Sequence, residues 1–506
     1  MAKYKPYNYS QRVMIPVSLE DQLIPGTLEF AIHTLVEDRM DTSIFDDRYD
    51  NDETGRWAYD PKVLLKVVLY GYSRGLISSR KMERACRENV TFMALTCGQC
   101  PDHSTIAVFV SSMRDEILPL FRDVLLVCDE SQLLGGTLFA LDGSKVPSNA
   151  SKEWSGKIPD LKRKKEKLEK QVKRLLRRQV EVDRTGGDEE EMEGGGPLLD
   201  RSKQVERLKE KAKRIGAFLK EHGPKLGRNG KEVKSNVTDN ESANMMTSHG
   251  TVQGYNGQAL VDSKHQIIVH AEAFGEGQDH YHIAPVMEGA KETMEALGYK
   301  GDYFEGKKLV ADSNYSSPAN LNQCKEERLD AYIPDIRFRT RDPRFATQER
   351  WKSHRTKRFI LEDFQYQKET DEYICPNGKR LRSVRRKAIV NNVIYRRYLA
   401  DHEDCIRCPL KNRCIMGNRI MGRNLSVPIG VTPDNLIKEM EEKIDTERGR
   451  NIYHQRIAIA EPVFANIKYG KGLDRFTLRG KIKVNIQWVL YCMVHNIGKI
   501  LNFGFT

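Results

Sequence analysis

Three acidic residues in this chain are placed so that together they could bind metal ions. Asp142 ends an apolar run that starts at Thr137 and breaks at Gly143, Asp312 lies in KKLVADSNYSS, and Glu461 lies in YHQRIAIAEPVFANIK. An Asp at the end of a buried strand is costly unless it is solvated, paired or bound to metal. Hard cations such as Mg²⁺ prefer carboxylate oxygens as ligands. The three residues therefore predict one site for Mg²⁺ or Mn²⁺.

Simpler interpretations and competing residues exist for this site. An isolated Asp-Gly pair such as Asp142 and Gly143 is usually a turn. Four other acidic residues near predicted strand ends or turns could replace Asp312 as a ligand: Asp239, Glu241, Asp262 and Asp279. We favour Asp312 because it alone follows an apolar strand in the fourth position. Asp262 is expected to begin a hairpin turn instead.

The elements around Asp142 and Asp312 predict an α/β fold. Two alternating runs, GYNGQALVD and HQIIVHAEAF, indicate a hairpin, and a helix is expected near 283–297. A strand with Asp, two more strands, a helix and a fourth strand with Asp is the chain order of an RNase H-like core. That core has a mixed five-stranded sheet with helices. Its first and fourth strands lie side by side, which would bring Asp142 and Asp312 together.

Two insertions explain the long distances between the carboxylates. Apolar residues at three- and four-residue steps predict a helical hairpin over 157–222, with an acidic, glycine-rich flexible tip (DRTGGDEEEMEGGGP). A second insertion, 337–449, carries cysteines spaced C-x29-C-x2-C-x5-C: Cys375, Cys405, Cys408 and Cys414. Four thiolates with one close pair could hold a structural Zn²⁺. Free thiols or a redox pair are the alternatives.

The residues around Glu461 predict a helix, but two positions of that helix relative to Pro462 fit the sequence. Pro462 disfavours helical conformation at Glu461 and removes a backbone donor, so either the helix kinks there or a helix begins at Pro462. Tyr453, Glu461 and Lys468 gather on one arc of a helical projection. Lys468 would hold a phosphate near the site, or else form an ion pair with Glu461.

The first 130 residues predict a helical domain. PKVLLKVVLYGYS, residues 61–73, opens with proline at a first-turn position, and Gly75 is expected to end that helix. Short helices with basic faces fit a helix-turn-helix-like DNA-binding bundle, although a structural bundle with solvated charges fits equally.

Composition agrees with a soluble protein that meets a polyanion. The 506 residues include 83 Lys and Arg against 71 Asp and Glu, a formal net charge of +12. No secretory signal or membrane-length apolar run is found, so we expect a cytoplasmic protein that does not bind membranes. The expected domains are 1–130, helical and DNA-binding; 131–156, 223–336 and 450–506, the core; and the insertions 157–222 and 337–449.

The ordered motifs resemble those of the DDE transposases of bacterial insertion sequences, in the group with a Tyr-Arg-Glu-Lys signature. The motifs are ALDGSKV, TDNESANMM, GYNGQALVD, LVADSNYSS, YHQR, EPVFANIK and FTLRGKIKV; SSRKMERACRENVTFMALT and PDHSTIAVF resemble the InsH-type N-terminal domain. The resemblance implies that Asp142, Asp312 and Glu461 are the catalytic metal ligands. It also implies that Tyr453, Arg456 and Lys468 contact DNA. Four residues separate Arg456 from Glu461, where the usual signature has three.

The resemblance implies cleavage at the ends of the element and transfer of the freed 3′-OH into target DNA. Two Mg²⁺ or Mn²⁺ ions would support this chemistry, and a homodimer would pair the two terminal inverted repeats. A metal-dependent nuclease without strand transfer, or a catalytically idle DNA-binding repressor of transposition, remains an alternative. The presence of all three carboxylates argues against a catalytically idle repressor, because DNA binding alone does not need them.

Overall fold

The structure is a computed structural model that describes residues 18–49, 57–185, 198–228, 230–247, 250–345, 347–348, 359–390, 393–415, 422–428 and 434–504. The chain forms two compact units. The first comprises Met1–Ala311, Arg328–Asp330 and His454–Thr506, and the second comprises Asp312–Glu327 and Ala331–Tyr453. No helix within the described ranges is long and apolar enough to cross a membrane.

Helices make up the described part of the chain before the first strand. They are α1 (Leu28–Thr34), α2 (Pro61–Ser73), α3 (Ser79–Glu88), α4 (Val90–Leu95), α5 (His103–Ser112) and α6 (Ile117–Glu130). Asp60 caps α2 by accepting a hydrogen bond from the Lys62 N–H at 2.7 Å, and Pro61 takes the first turn, where its missing donor costs nothing. Gly75 follows the helix with a φ of +72°. The predicted helix and its end are confirmed.

The remaining elements of the first unit are strands, a helical hairpin and core helices. In chain order they begin with β1 (Leu138–Pro147), β2 (Ser155–Gly156), α7 (Ile158–Thr185), α8 (Leu198–Glu221), β3 (Ser235–Asn236) and β4 (Ala243–Thr247). They continue with β5 (Gly250–Asp262), β6 (Ile268–Phe274), α9 (Ile283–Ala296) and β7 (Lys308–Ala311). The last strand, β8 (Asp330–Tyr332), has Asp330 in the first unit and its other two residues in the second. The short strands β2 and β3 pair only with each other.

The main sheet has the order β4-β5-β1-β7-β8, and β6 also pairs with β5. β1 is antiparallel to β5 and parallel to β7, so the predicted adjacency of the first and fourth core strands is confirmed. The sheet has six strands where five were predicted. The additional strand is β4, which pairs with the first residues of β5, while β6 pairs with the later ones.

β1 continues past Asp142, so the prediction that the strand breaks at Gly143 is wrong. Asp142 pairs with Ala259 and Gly143 with Gln258, and the pairing extends to Pro147. A Cβ at Gly143 would overlap the side-chain amide of Gln258. The glycine therefore makes room for a side chain of the neighbouring strand and does not end the strand.

The predicted helical hairpin is formed by α7 and α8. Its base is held by a small apolar cluster of Leu161, Ile215 and Phe218, against which Trp154 packs. Residues 186–197, which hold most of the predicted acidic tip, lie outside the described residues.

Two long helices end the chain: α15 (Glu447–Ala465) and α16 (Lys481–Phe503). α16 is largely buried and is tied to the sheet by polar side chains. Trp488 Nε1 donates to the Gln258 carbonyl at 2.9 Å, and Asn496 bonds both the N–H and the carbonyl of Ile268, at 2.9 and 2.8 Å. The Phe464 ring of α15 stacks near Trp488, with 6.1 Å between centroids. These contacts hold the end of α15 against the sheet.

The second unit contains a separate antiparallel sheet. Its elements are α10 (Pro318–Glu326), α11 (Phe338–Arg341), β9 (Gln365–Gln367), β10 (Glu372–Ile374), β11 (Arg380–Val390), β12 (Val393–Ala400), α12 (His402–Ile406), α13 (Lys411–Cys414), β13 (Asn424–Pro428) and α14 (Asp434–Ile444). The strand order is β13-β12-β11-β10-β9. Its core includes Phe364, Tyr373, Leu381, Tyr398 and Leu425.

Candidate active site

Asp142 lies on β1 where the parallel neighbour β7 ends. Leu141 pairs with Ala311, the last residue of β7. Asp142 Oδ1 accepts a hydrogen bond from the Gly143 N–H at 2.8 Å, and Oδ2 accepts one from Arg456 Nη1 at 2.6 Å. The Asp142 side chain is 17% exposed and that of Arg456 is 6% exposed. Arg456, whose spacing departs from the usual signature, is thus a direct partner of Asp142.

Arg456 also faces Glu461. Its Nη2 lies 3.8 Å from Glu461 Oε1, and the Glu461 side chain is 62% exposed. One guanidinium therefore contacts both carboxylates, and it links Asp142 on the sheet to Glu461 on the helix.

Pro462 lies inside α15, which runs without interruption from Glu447 to Ala465, so no helix begins at Pro462. A proline has no N–H to donate to the carbonyl four residues earlier, which here belongs to Ala458. Gln266 Nε2 donates to that carbonyl at 2.8 Å. A side chain nearly two hundred residues away along the chain thus replaces the missing helix bond, and Glu461 keeps its helical position.

Lys468 lies in the π-helical turn Asn466–Gly470 that follows α15. It is half-buried, and burial lowers its pKa. Within the described ranges its ammonium has no hydrogen bond or ion pair, so the alternative pair with Glu461 is not formed. The neighbouring Lys471 is 8% exposed, and burial lowers its pKa to about 8.

The turn that carries Lys468 is anchored to α16 by His495. His495 Nδ1 lies 3.2 Å from Asn466 Oδ1, and its Nε2 lies 2.9 Å from the Gln266 carbonyl. Burial lowers the pKa of His495 to about 3, so the ring is neutral at pH 7 and donates from only one of its two nitrogens. Sequence analysis did not identify Gln266 or His495, because the groups that they contact are distant along the chain.

Asp312 and Tyr453 belong to the second unit. Asp312 caps the short turn Ser313–Tyr315, and its Oδ1 accepts a hydrogen bond from the Ser313 N–H at 2.6 Å. Its side chain is half-buried. Tyr453 is 8% exposed, and its ring packs edge-on against Phe338 with 5.1 Å between centroids.

The competing carboxylates have other partners. Asp262 accepts hydrogen bonds from the N–H groups of Gly135, Gly136 and Lys264, so its predicted place at the hairpin turn is confirmed. The other three bond to groups of the first unit: Asp239 to the Tyr255 hydroxyl, Asp279 to the Asn256 and Gln258 amides, and Glu241 to the Lys481 N–H.

The four cysteines of the second insertion line one small cavity together with Lys379, Lys411 and Arg423. All four are free thiols, so no disulfide joins them. Cys375 Sγ accepts a hydrogen bond from the Lys379 N–H at 3.3 Å, and Cys405 Sγ accepts one from the Arg423 N–H at 3.4 Å. Burial raises the pKa of Cys405 and of Cys414. Across the described residues, no three His, Cys, Asp or Glu side chains are grouped so that they could already hold a metal ion.

Two family models match this chain. Residues 374–501 match the model described as Transposase DDE domain, and residues 17–112 match Transposase domain (DUF772). The two matches support a DDE transposase of an insertion element. A search of curated proteins found no match. The DDE match contains Glu461, Lys468 and the four clustered cysteines, whereas Asp142 and Asp312 lie outside both matches.

Proposed function

We propose that this transposase cleaves DNA at the ends of its element and joins the freed 3′-OH to target DNA, with Asp142, Asp312 and Glu461 as its catalytic carboxylates. The observation that carries the proposal is Arg456, which joins Asp142 on the sheet to the helix of Glu461. The register supports Asp312, because Leu141 and Ala311 are paired and each is followed directly by one of the two aspartates. The strand order β6-β5-β1-β7-β8 supports an RNase H-like core.

We propose Mg²⁺ or Mn²⁺, two ions, as the cofactor of these carboxylates. DDE transposase domains generally use divalent ions. The three proposed ligands fit these ions chemically, because carboxylate oxygens are the ligands that hard cations prefer. Bound divalent ions would stabilise the charge that develops on the attacking and leaving oxygens of a phosphodiester.

The protein's own cations would position the DNA. Lys468 is half-buried and has no ion-pair partner among the described residues, so a phosphate that binds it replaces lost hydration with a strong charged contact. Arg456 orients the Asp142 carboxylate through a 2.6 Å bond. Tyr453 is proposed as a further DNA contact on family resemblance alone.

The proposed partners are the terminal inverted repeats, target DNA and a second copy of the chain. The domain assignment stands as a proposal as well: 1–130 binds DNA, 131–156, 223–336 and 450–506 form the core, and 157–222 and 337–449 are insertions. The match of residues 17–112 to a transposase domain supports the first of these.

Cleavage and joining of the element's own terminal repeats would test the function. The purified protein is incubated with a labelled repeat and Mg²⁺, and wild type is compared with Asp142→Asn. An exposed carboxylate, Asp115→Asn, serves as the matched control. We expect wild type and control to cut and join, and Asp142→Asn to do neither. Cleavage without joining would favour the nuclease, and binding without cleavage by wild type would favour the repressor.

We propose in addition that Cys375, Cys405, Cys408 and Cys414 bind one structural Zn²⁺. Thiolates are preferred zinc ligands, and all four are free and share one cavity. Backbone N–H groups already donate to two of the sulfurs, and three cationic side chains line the cavity against one carboxylate, Asp404. Burial raises the pKa of Cys405 and of Cys414, so a bound Zn²⁺ would have to displace the protons of these thiols. Binding would have to draw the sulfurs together, because they are not yet grouped as ligands.

Metal analysis of the purified protein tests the zinc proposal. Wild type should carry about one zinc per chain, as a four-thiolate site implies. The double variant Cys405→Ser, Cys408→Ser should lose it, whereas Cys97→Ser, in the other close cysteine pair, should retain it. Zinc-free wild type, or a double variant with full zinc, would contradict the proposal.

A further inference from the structure

A polar cleft of about 670 Å³ opens in the first unit beyond the end of β1. Its walls are the segment from Pro147 to Trp154, part of β5, Arg214 of the helical hairpin, and Arg475 and Arg479 before α16. It is separate from Asp142, because the five residue steps of β1 from Asp142 to Pro147 span about 16 Å.

Hydrogen bonds to backbone groups join the walls, so the fold fixes the shape of the cleft. The Phe476 N–H donates to the Pro147 carbonyl at 2.9 Å, and the Ser148 N–H donates to the Gln253 carbonyl at 2.9 Å. Arg479 Nε donates to the Asn149 carbonyl at 2.6 Å. The loop after β1 is thereby tied both to the sheet and to the segment that leads into α16.

The cleft is strongly basic. Four cations line it, Lys152, Arg214, Arg475 and Arg479, against one carboxylate, Glu153. Lys152 and Arg475 have no hydrogen bond or ion pair in the described part of the chain, and Arg214 has only the Trp154 ring, 5.4 Å from its guanidinium carbon to the centroid. Like charges gathered without internal partners repel one another unless an anion binds.

A second feature points to a ligand that accepts hydrogen bonds. Ser148 is 1% exposed and lines the cleft, yet its hydroxyl has no hydrogen-bond partner within the described residues. A buried hydroxyl without a partner destabilises the fold, because it has lost its hydrogen bonds to water. An anionic oxygen in the cleft would satisfy this hydroxyl and the free guanidinium groups together.

We propose that this cleft binds the phosphate backbone of a DNA strand, as a site additional to the carboxylates. The Arg475 and Arg214 guanidinium groups and the Ser148 hydroxyl would contact phosphate oxygens, and the Trp154 ring would contact the nucleotide. The cleft is far larger than one phosphate ion needs, and the aromatic face suits a nucleotide. Each strand of a duplex has one phosphate per about 3.4 Å of helix axis, so a contact about 16 Å along that axis would lie about five nucleotides from Asp142. The inference rests on the proposed function for the identity of the strand.

Salt-dependent DNA binding tests the cleft without catalysis. A fluorescein-labelled 30-bp duplex of arbitrary sequence, in the absence of divalent ions, is titrated with protein at several salt concentrations and followed by anisotropy. The slope of log K against log salt is negative, and each lost phosphate contact reduces its magnitude by about 0.9. We expect Arg475→Gln and Arg214→Gln each to reduce that magnitude by about one such step, and the double variant by about two.

Arg328→Gln provides the matched control. It removes the same charge from the first unit, but Arg328 already pairs with Glu305 and lies outside the cleft. Its slope should equal that of wild type. Unchanged slopes in the cleft variants, or an equal decrease in the control, would overturn the proposal. Thermal melts show whether each variant is folded, and repeat cleavage with Mg²⁺ reports separately on the proposed function.

Discussion

Replacing Arg456 with methionine should lower the unfolding free energy of the first unit by about 3 kcal/mol. The variant keeps the length of the side chain and removes the countercharge that Asp142 Oδ2 contacts at 2.6 Å. Both side chains are mostly shielded from water, with 6% and 17% exposure. Removing one partner of a buried pair costs about 3–5 kcal/mol, and the partial exposure of Asp142 favours the lower end.

Urea unfolding followed by far-UV circular dichroism measures this change. Two further variants isolate its cause. Glu461→Gln should cost less than about 1 kcal/mol, because Glu461 is exposed and 3.8 Å from the guanidinium. Adding Asp142→Asn to Arg456→Met should recover much of the loss, since the buried negative charge is then gone. The reasoning would be refuted if Arg456→Met cost no more than Glu461→Gln, or if the double variant were as unstable as the single one.

Three more predictions concern the support of the site. Lys471→Met should remove a pH dependence of stability. Burial depresses the lysine pKa from 10.5 to about 8, so the unfolding free energy of wild type should rise by roughly 3 kcal/mol between about pH 8 and 10.5. If urea titrations at several pH values gave wild type and variant the same dependence of stability on pH, the prediction would be contradicted. Gly257→Ala should cost about 1–3 kcal/mol of stability, because its Cβ would lie 2.8 Å from the buried Trp488 ring. Gly498→Ala in α16, where the added Cβ meets open space, should stabilise the protein by up to about 1 kcal/mol. Thermal melts that rank the two variants in the other order would count against this packing. Gln266→Leu should cost about 1–3 kcal/mol of stability, because the Ala458 carbonyl loses its donor. Adding Pro462→Ala supplies a backbone N–H and should recover part of that loss in urea unfolding. No recovery would contradict the assigned role of Gln266.

Local patterns in the sequence were sufficient to predict most helices and the order of the core strands along the chain. Proline at the first turn and glycine after the last are chemical boundaries that act over a few residues, so the bounds of α2 could be predicted. The apolar runs before Asp142 and Asp312 likewise predicted two neighbouring strands, because buried parallel strands need continuous apolar sequence.

Only the tertiary structure decided which side chains meet around Asp142 and Glu461. Arg456 is 314 residues from Asp142 along the chain, and no periodicity reports such a contact. Gly143 looked like a strand end because its close neighbour, the Gln258 amide, belongs to another strand. Pro462 looked like a helix boundary because the donor that replaces its missing N–H comes from Gln266. Residue types and spacing thus predicted the carboxylates, while packing between distant segments determined the partners that hold Asp142 and Glu461 in place.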